Sequence, residues 1–101
     1  MIHELKIWPG YFEDIVTGKK TFEVRRADRP FVEGDLLALN EWNPKTEGYT
    51  GASVLVKVIY IWRDPIYVRE GFVIMSIVPC DVRLVRDGYA PYITLREGAE
   101  S

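Results

Sequence analysis

Between Gly18 and Arg25 the chain sets an ammonium, a hydroxyl, a carboxylate and a guanidinium close together, on Lys20, Thr21, Glu23 and Arg25. Such a set can hold a phosphate through its cations, read a base edge with its carboxylate, or move a proton. In an extended chain successive side chains alternate faces, so Thr21, Glu23 and Arg25 share one face and Phe22 and Val24 the other. Glu23 and Arg25 then lie roughly 7 Å apart, near enough to pair or to share a ligand. Lys20 has the parity of Phe22, but it follows Gly18 where the strand begins and alternation need not yet hold, so spacing leaves its direction open. A run of this kind also makes an ordinary solvated face, whose ion pairs contribute about 0–1 kcal/mol each.

The elements that must position these groups are short. Pro9 suits the first helical position, Trp8, Phe12, Ile15 and Val16 form one apolar stripe at helical spacing, and Gly18 supplies a left-handed cap. This predicts a helix over residues 9–17 that delivers the chain into the strand of Phe22, with its aromatics in the core rather than on a base-stacking surface. So short a helix is unstable alone and must cover a sheet. The negative end of its dipole also favours Lys19 and Lys20 there on structural grounds.

Further strands are predicted over residues 3–7, over Leu36–Trp42 after the Gly34-Asp35 turn, over Ser53–Trp62, and over Phe72–Val78, where Pro79 stops pairing. Residues 43–48 and 65–70 read as loops. Val54, Val56, Val58, Tyr60 and Trp62 share one face of the longest strand. Several short strands with one early helix predict a mainly β (α+β) fold, a small closed or nearly closed barrel. Its expected core is Phe12, Ile15, Phe22, Val24, Leu37, Val56, Val58, Ile74 and Ile77. On that reading Phe22→Ala costs about 3–5 kcal/mol.

Beyond Pro79, Val82–Arg86 and Tyr92–Arg96 alternate across an Asp87-Gly88 turn. The expected organisation is a barrel over residues 1–79, a hairpin over 80–96 that completes the domain or pairs a homodimer, and a disordered tail over 97–101.

A chain of 101 residues with 48% hydrophobic and 28% charged residues is expected to be one soluble domain. No apolar run reaches a membrane span, and Met1–Lys6 lacks the pattern of a signal peptide. Cys80 is the only cysteine and His3 the only histidine, so neither a disulfide nor a cysteine- or histidine-rich metal site is expected. These features favour the cytoplasm, with no membrane partner, metal or cofactor. The net charge of -2 argues against double-stranded DNA. Locally, however, residues 17–29 carry Lys19, Lys20, Arg25, Arg26 and Arg29 against Glu23 and Asp28. A basic patch on an acidic chain suits a small anionic ligand or a short RNA.

Gly18, Lys20, Glu23 and Arg25 fit G-x-K-x-x-E-x-R, and the chain here resembles the ASCH domain, a branch of the PUA-like β-barrels. With His3-Glu4-Leu5-Lys6, Asp28-Arg29, Gly34-Asp35 and Glu41-Trp42, the likeness extends over residues 2 to about 79, to a small bacterial and phage subfamily without assigned function. The resemblance implies a PUA-like barrel of five to six strands with a cleft beside the first helix, and a role in binding RNA or a nucleotide-like ligand. Lys20, Arg25 and Arg29 would then contact phosphates, and Glu23 would accept from a base edge or orient Arg25. His3 and Lys6, beside the signature, and Trp42, able to stack a base, complete the candidate set.

The alternative implied by the same resemblance is a small hydrolase acting on an acylated nucleoside or on RNA, with Lys20, Thr21, Glu23 and Arg25 as its machinery. Desolvation would favour the neutral amine of Lys20 and Glu23 would favour its ammonium, so its state as a base stays open. Acyl-hydrolysing relatives carry a hydroxyl residue where this chain has Glu23, which departs from their pattern. A third reading is a protein-interaction factor acting through residues 80–96.

Overall fold

The computed structural model describes residues 1–84 together with the backbone of Tyr92 and Ile93. In chain order the elements are β1 (Ile2–Ile7), α1 (Pro9–Val16), β2 (Phe22–Arg26), β3 (Leu36–Asn43), β4 (Gly48–Trp62), β5 (Phe72–Arg83) and β6 (Tyr92–Ile93). They form one sheet in the order β1-β3-β4-β5-β2, with β6 beside β5. Only β1 and β3 run parallel; the other neighbours are antiparallel. The sheet curls into a half-barrel with α1 packed on its concave side. Among the described residues no helix is long and apolar enough to cross a membrane.

The core is where the period-2 faces of the strands meet one stripe of α1. Phe12 and Ile15 pack with Leu37 and Leu39 of β3, Val54, Val56 and Val58 of β4, and Val73, Met75 and Ile77 of β5. Helix α1 ends as its sequence requires: Gly18 takes φ +84°, its N–H caps the Ile15 carbonyl at 3.1 Å, and the Lys20 N–H reaches back to Asp14 at 2.9 Å.

Four expectations need correction. In β2 the alternation holds but the buried side is the other one: Glu23 is 3% exposed, whereas Phe22 and Val24 are 44% and 49% exposed, and Ile74, expected in the core, pairs with Val24 on that outer side and is only half-buried. Trp8, expected in the apolar stripe, is the N-cap with extended backbone (φ -77°, ψ 154°), so its ring leaves that stripe and lies 54% exposed. Along β4 the shared face ends at a bulge. Val58 pairs with Ile77 and Tyr60 with Ser76, leaving Ile59 as the extra residue, and Tyr60 and Trp62 therefore turn outward. Pro79 does not end β5, which continues to Arg83. Val56 pairs with Pro79 and Leu55 with Asp81, so the ring sits next to a second irregularity at Cys80, where a missing donor is tolerated.

Val82 and Arg83 pair with Ile93 and Tyr92. Residues 85–91 and 94–101 lie outside the described residues, and with them most of the expected 80–96 hairpin, its homodimer surface and the tail.

His3 and Asp35 are both buried in the β1–β3 corner, with Nε2 2.7 Å from Oδ2. The Asp35 carboxylate also accepts the Val32 N–H at 3.0 Å and the terminal amine at 3.2 Å, and the His3 ring meets Phe31 edge-on at 4.8 Å. Burial pushes the Asp35 carboxyl up, but the hydrogen bonds from His3, Val32 and the amine outweigh it and bring the group from 3.8 to about 2. A carboxyl depressed on folding stabilises the native state above its unfolded value, and that stabilisation disappears as pH falls from about 4 to about 2. Denaturation midpoints followed between pH 5 and pH 2 should therefore fall steeply for the wild type and less steeply for Asp35→Asn. Parallel curves would refute this role.

The inverted face of β2 has its own test. Phe12→Ala should cost about 3–5 kcal/mol in urea unfolding, and Phe22→Ala only about 1 kcal/mol or less.

Candidate functional site

The charged residues of the signature converge because two different backbone devices aim them at one point. Glu23 points inward by the alternation of β2. Lys20 precedes the strand and is anchored to the helix C-terminus through its own N–H, which frees its side chain from that alternation. Its Nζ donates to Glu23 Oε1 at 2.5 Å and to the Phe22 carbonyl at 2.6 Å. Arg25 Nε donates to Glu23 Oε2 at 2.7 Å, and its Nη2 crosses to the Lys6 carbonyl of β1 at 3.0 Å. Each carboxylate oxygen of Glu23 thus faces its own cation, the arrangement a buried carboxylate requires.

These groups line an open cleft of about 580 Å³ between the end of β1, the first turn of α1 and β2. Its walls are largely apolar: Ile7, Trp8, Tyr11, Phe22 and Val24 surround Lys6, Lys20, Glu23 and Arg25. The Lys20 ammonium lies 4.9 Å from the Phe22 ring centroid and 5.7 Å from that of Tyr11. Three cations and one carboxylate in an aromatic-walled cleft can receive a planar anionic ligand, with its ring against the aromatics and its charge on the lysines.

The other candidates are distributed differently. Lys6 lines the cleft, with its ammonium 4.1 Å above the Trp42 ring; half-buried Trp42 does not itself line the cleft. Arg29 lies further along the same seam, where its guanidinium reaches the Glu4 carbonyl at 3.5 Å and Asp28 at 3.7 Å. His3 is inside the β1–β3 corner. Thr21 is exposed, uses its carbonyl to accept the Ile77 N–H, and does not line the cleft. Sequence reasoning missed Trp8 and Tyr11. The signal for Trp8 was Pro9 after it, which biases the preceding residue to extended backbone and takes its side chain off the helical stripe.

The fold defines the class. The half-barrel matches the crystal structure of a serine-to-alanine mutant of ZmASCH from Zymomonas mobilis with a TM-score of 0.55, at 17% identity, over 98% of this chain and 78% of that one. The fold is therefore that of an ASCH domain. The chain belongs to the family described as a domain of unknown function, DUF3850, whose profile matches residues 2–77. It is 34% identical over 89 residues to an uncharacterized 12.9 kDa protein in the GpA 3' region of Escherichia phage P2, covering 82% of this chain and 78% of that protein. The chain thus joins this family to an ASCH fold and has a relative in a phage.

The trio should behave as one energetic unit. Glu23→Gln should destabilise the protein by about 1–3 kcal/mol, since it leaves two partly buried cations without their counter-charge. A double-mutant cycle between Glu23→Gln and Arg25→Ala should give a coupling of about 1 kcal/mol or more. Additive effects would mean that the two side chains act separately.

Proposed function

We propose that the protein binds RNA or a nucleotide-like ligand in the cleft between β1, α1 and β2. The observation that carries this reading is the meeting of Lys6, Lys20 and Arg25 with the exposed rings of Trp8, Tyr11 and Phe22 in one open cleft. Lys6 and Lys20 are the phosphate contacts: the Lys6 ammonium rests on the Trp42 ring face, and the Lys20 ammonium keeps a third N–H beyond those it gives to Glu23 and the Phe22 carbonyl. Arg25 is held from both sides and acts as the positioning residue. The rings offer a surface on which an unpaired base can stack. Likeness to an ASCH domain points the same way, as does an overall charge of -2, which suits a short anionic ligand better than long duplex DNA. The reading carries with it a cytoplasmic location, where such ligands are found.

No catalytic residue is assigned. The hydrolytic alternative would draw on Lys20, Glu23 and Arg25, which line the cleft, and on the hydroxyl of Thr21, which does not. The interaction-factor alternative rests on residues 80–96, most of which lie outside the described residues.

Titration of the four ribonucleoside monophosphates and a short RNA against wild type, Lys6→Ala, Lys20→Ala and Glu23→Gln tests the proposal. Each lysine variant should weaken binding, and the slope of log affinity against log salt should become shallower by about 0.7 for every phosphate left without its cation. Glu23→Gln should change affinity only modestly. Absence of binding by the wild type would refute the reading, and turnover of an acylated nucleoside that vanishes in Glu23→Gln would replace it with the hydrolase.

A further inference from the structure

The outward face of β4, β5 and β2 carries an arrangement that the cleft does not explain. Its rows run across three strands: Tyr60 beside Ser76 beside Phe22, then Trp62 beside Ile74 beside Val24. Arg26 beside Phe72 makes a third row on β5 and β2, and Lys57 beside Val78 bounds the face at the other end. Phe22, Tyr60 and Trp62 are 44%, 56% and 41% exposed. Tyr67, from the turn after β4, packs against Trp62 with ring centroids 5.7 Å apart and planes tilted by 36°. A sheet face turned to water ordinarily carries polar residues at these alternate positions.

Cations interleave these rings. The guanidinium groups of Arg26 and Arg69 lie 5.3 Å and 5.6 Å from the Phe72 ring centroid, and Lys20 lies over Phe22. None of the outward ladder positions in these rows is acidic, in a chain whose net charge is -2. Two carboxylates near this end of the sheet are engaged with backbone: Asp64 accepts the Ile66 N–H at 3.0 Å and Glu33 the Ile61 N–H at 3.3 Å.

We infer that this face is a platform for single-stranded RNA, whose bases stack on Phe22, Trp62 and Tyr67 while its phosphates meet Arg26, Arg69 and Lys57. The inference rests on the nucleotide reading of the cleft for the class of ligand, and it extends that ligand to a strand of several nucleotides. Rows on a strand face are spaced roughly 7 Å apart, and neighbouring strands roughly 4.8 Å, so successive bases of an extended chain can each find a ring. Phe22 and Val24 belong both to this face and to the cleft wall, so one strand can pass from one to the other. Charge also argues against a second copy of the chain as occupant. A two-fold contact sets a patch against itself, which would bring these cations together with no acid in the rows between them.

Anisotropy of a labelled RNA of about twelve nucleotides, with monophosphate titrations in parallel, tests the inference. Trp62→Ala and Tyr67→Ala should each weaken RNA binding about tenfold, Trp62→Phe should restore most of it, and none should alter monophosphate binding. Tyr67 is on an exposed turn, so its variant keeps the test valid if Trp62→Ala unfolds. RNA affinity equal to wild type in both alanine variants overturns the platform and leaves the cleft reading standing. Loss in both, with Lys20→Ala silent toward monophosphates, keeps the platform and overturns the cleft. A wild type without RNA affinity overturns the inference. A dimer that Trp62→Ala converts to monomer, seen by sedimentation without any effect on RNA, assigns the face to a second copy and overturns it as well.

Discussion

A carboxylate sealed on the inner side of β2 is the constraint around which this small domain is arranged. An unpaired buried carboxylate would be strongly unfavourable, so Glu23 requires partners with good geometry. The chain has to bring them from two directions. The helix cap at Gly18 holds Lys20 to the end of α1, and the pleat of β2 brings Arg25 to the same side. Arg25 then grips β1 through the Lys6 carbonyl. The helix, the signature strand and the first strand are thereby tied to one acidic group. Its cationic partners line the cleft, so the groups that hold these elements together are also the charged part of the cleft surface.

How much of this was legible follows the physics of each element. Helix α1 and its glycine cap, the strand segments and the period-2 split of β2 could be read because they depend on local backbone rules. The side of β2 that is buried could not. Binary patterning puts Phe22 and Val24 inside, and the structure puts Glu23 there; such violations concentrate where a protein keeps a site. Trp8 was misassigned because its spacing matched the helical stripe although it stands before the first helical residue. The outward turn of Tyr60 and Trp62 was illegible for another reason. One extra residue at Ile59 inverts parity, and no turn signal in the sequence marks it. In β5, Pro79 read as a terminator because the neighbouring irregularity that accommodates it arises from pairing with β4, not from its own sequence.

The bulge in β4 also lets one strand serve two purposes. Before Ile59, its valines fill the concave core; after it, only Ile61 still packs inward, while the aromatic residues move to the opposite face. A short chain with a modest core gains a second surface in this way without adding an element. Similarly, α1 gives Phe12 and Ile15 to the core, and Trp8 and Tyr11 at its start to the cleft wall.

The gap between β1 and β2 is bridged by the long side chains of Arg25 and Arg29, which reach carbonyls of Lys6 and Glu4, and not by a ladder of backbone pairs. A ladder fixes the distance between two strands at one value and yields only by unzipping. A bridge of flexible arms can lengthen or shorten through rotamer changes while the backbone on either side stays put. The mouth of the cleft is therefore adjustable in width, like a drawstring. How far apart the two strands can stand is thus set by the reach of the side chains at positions 25 and 29.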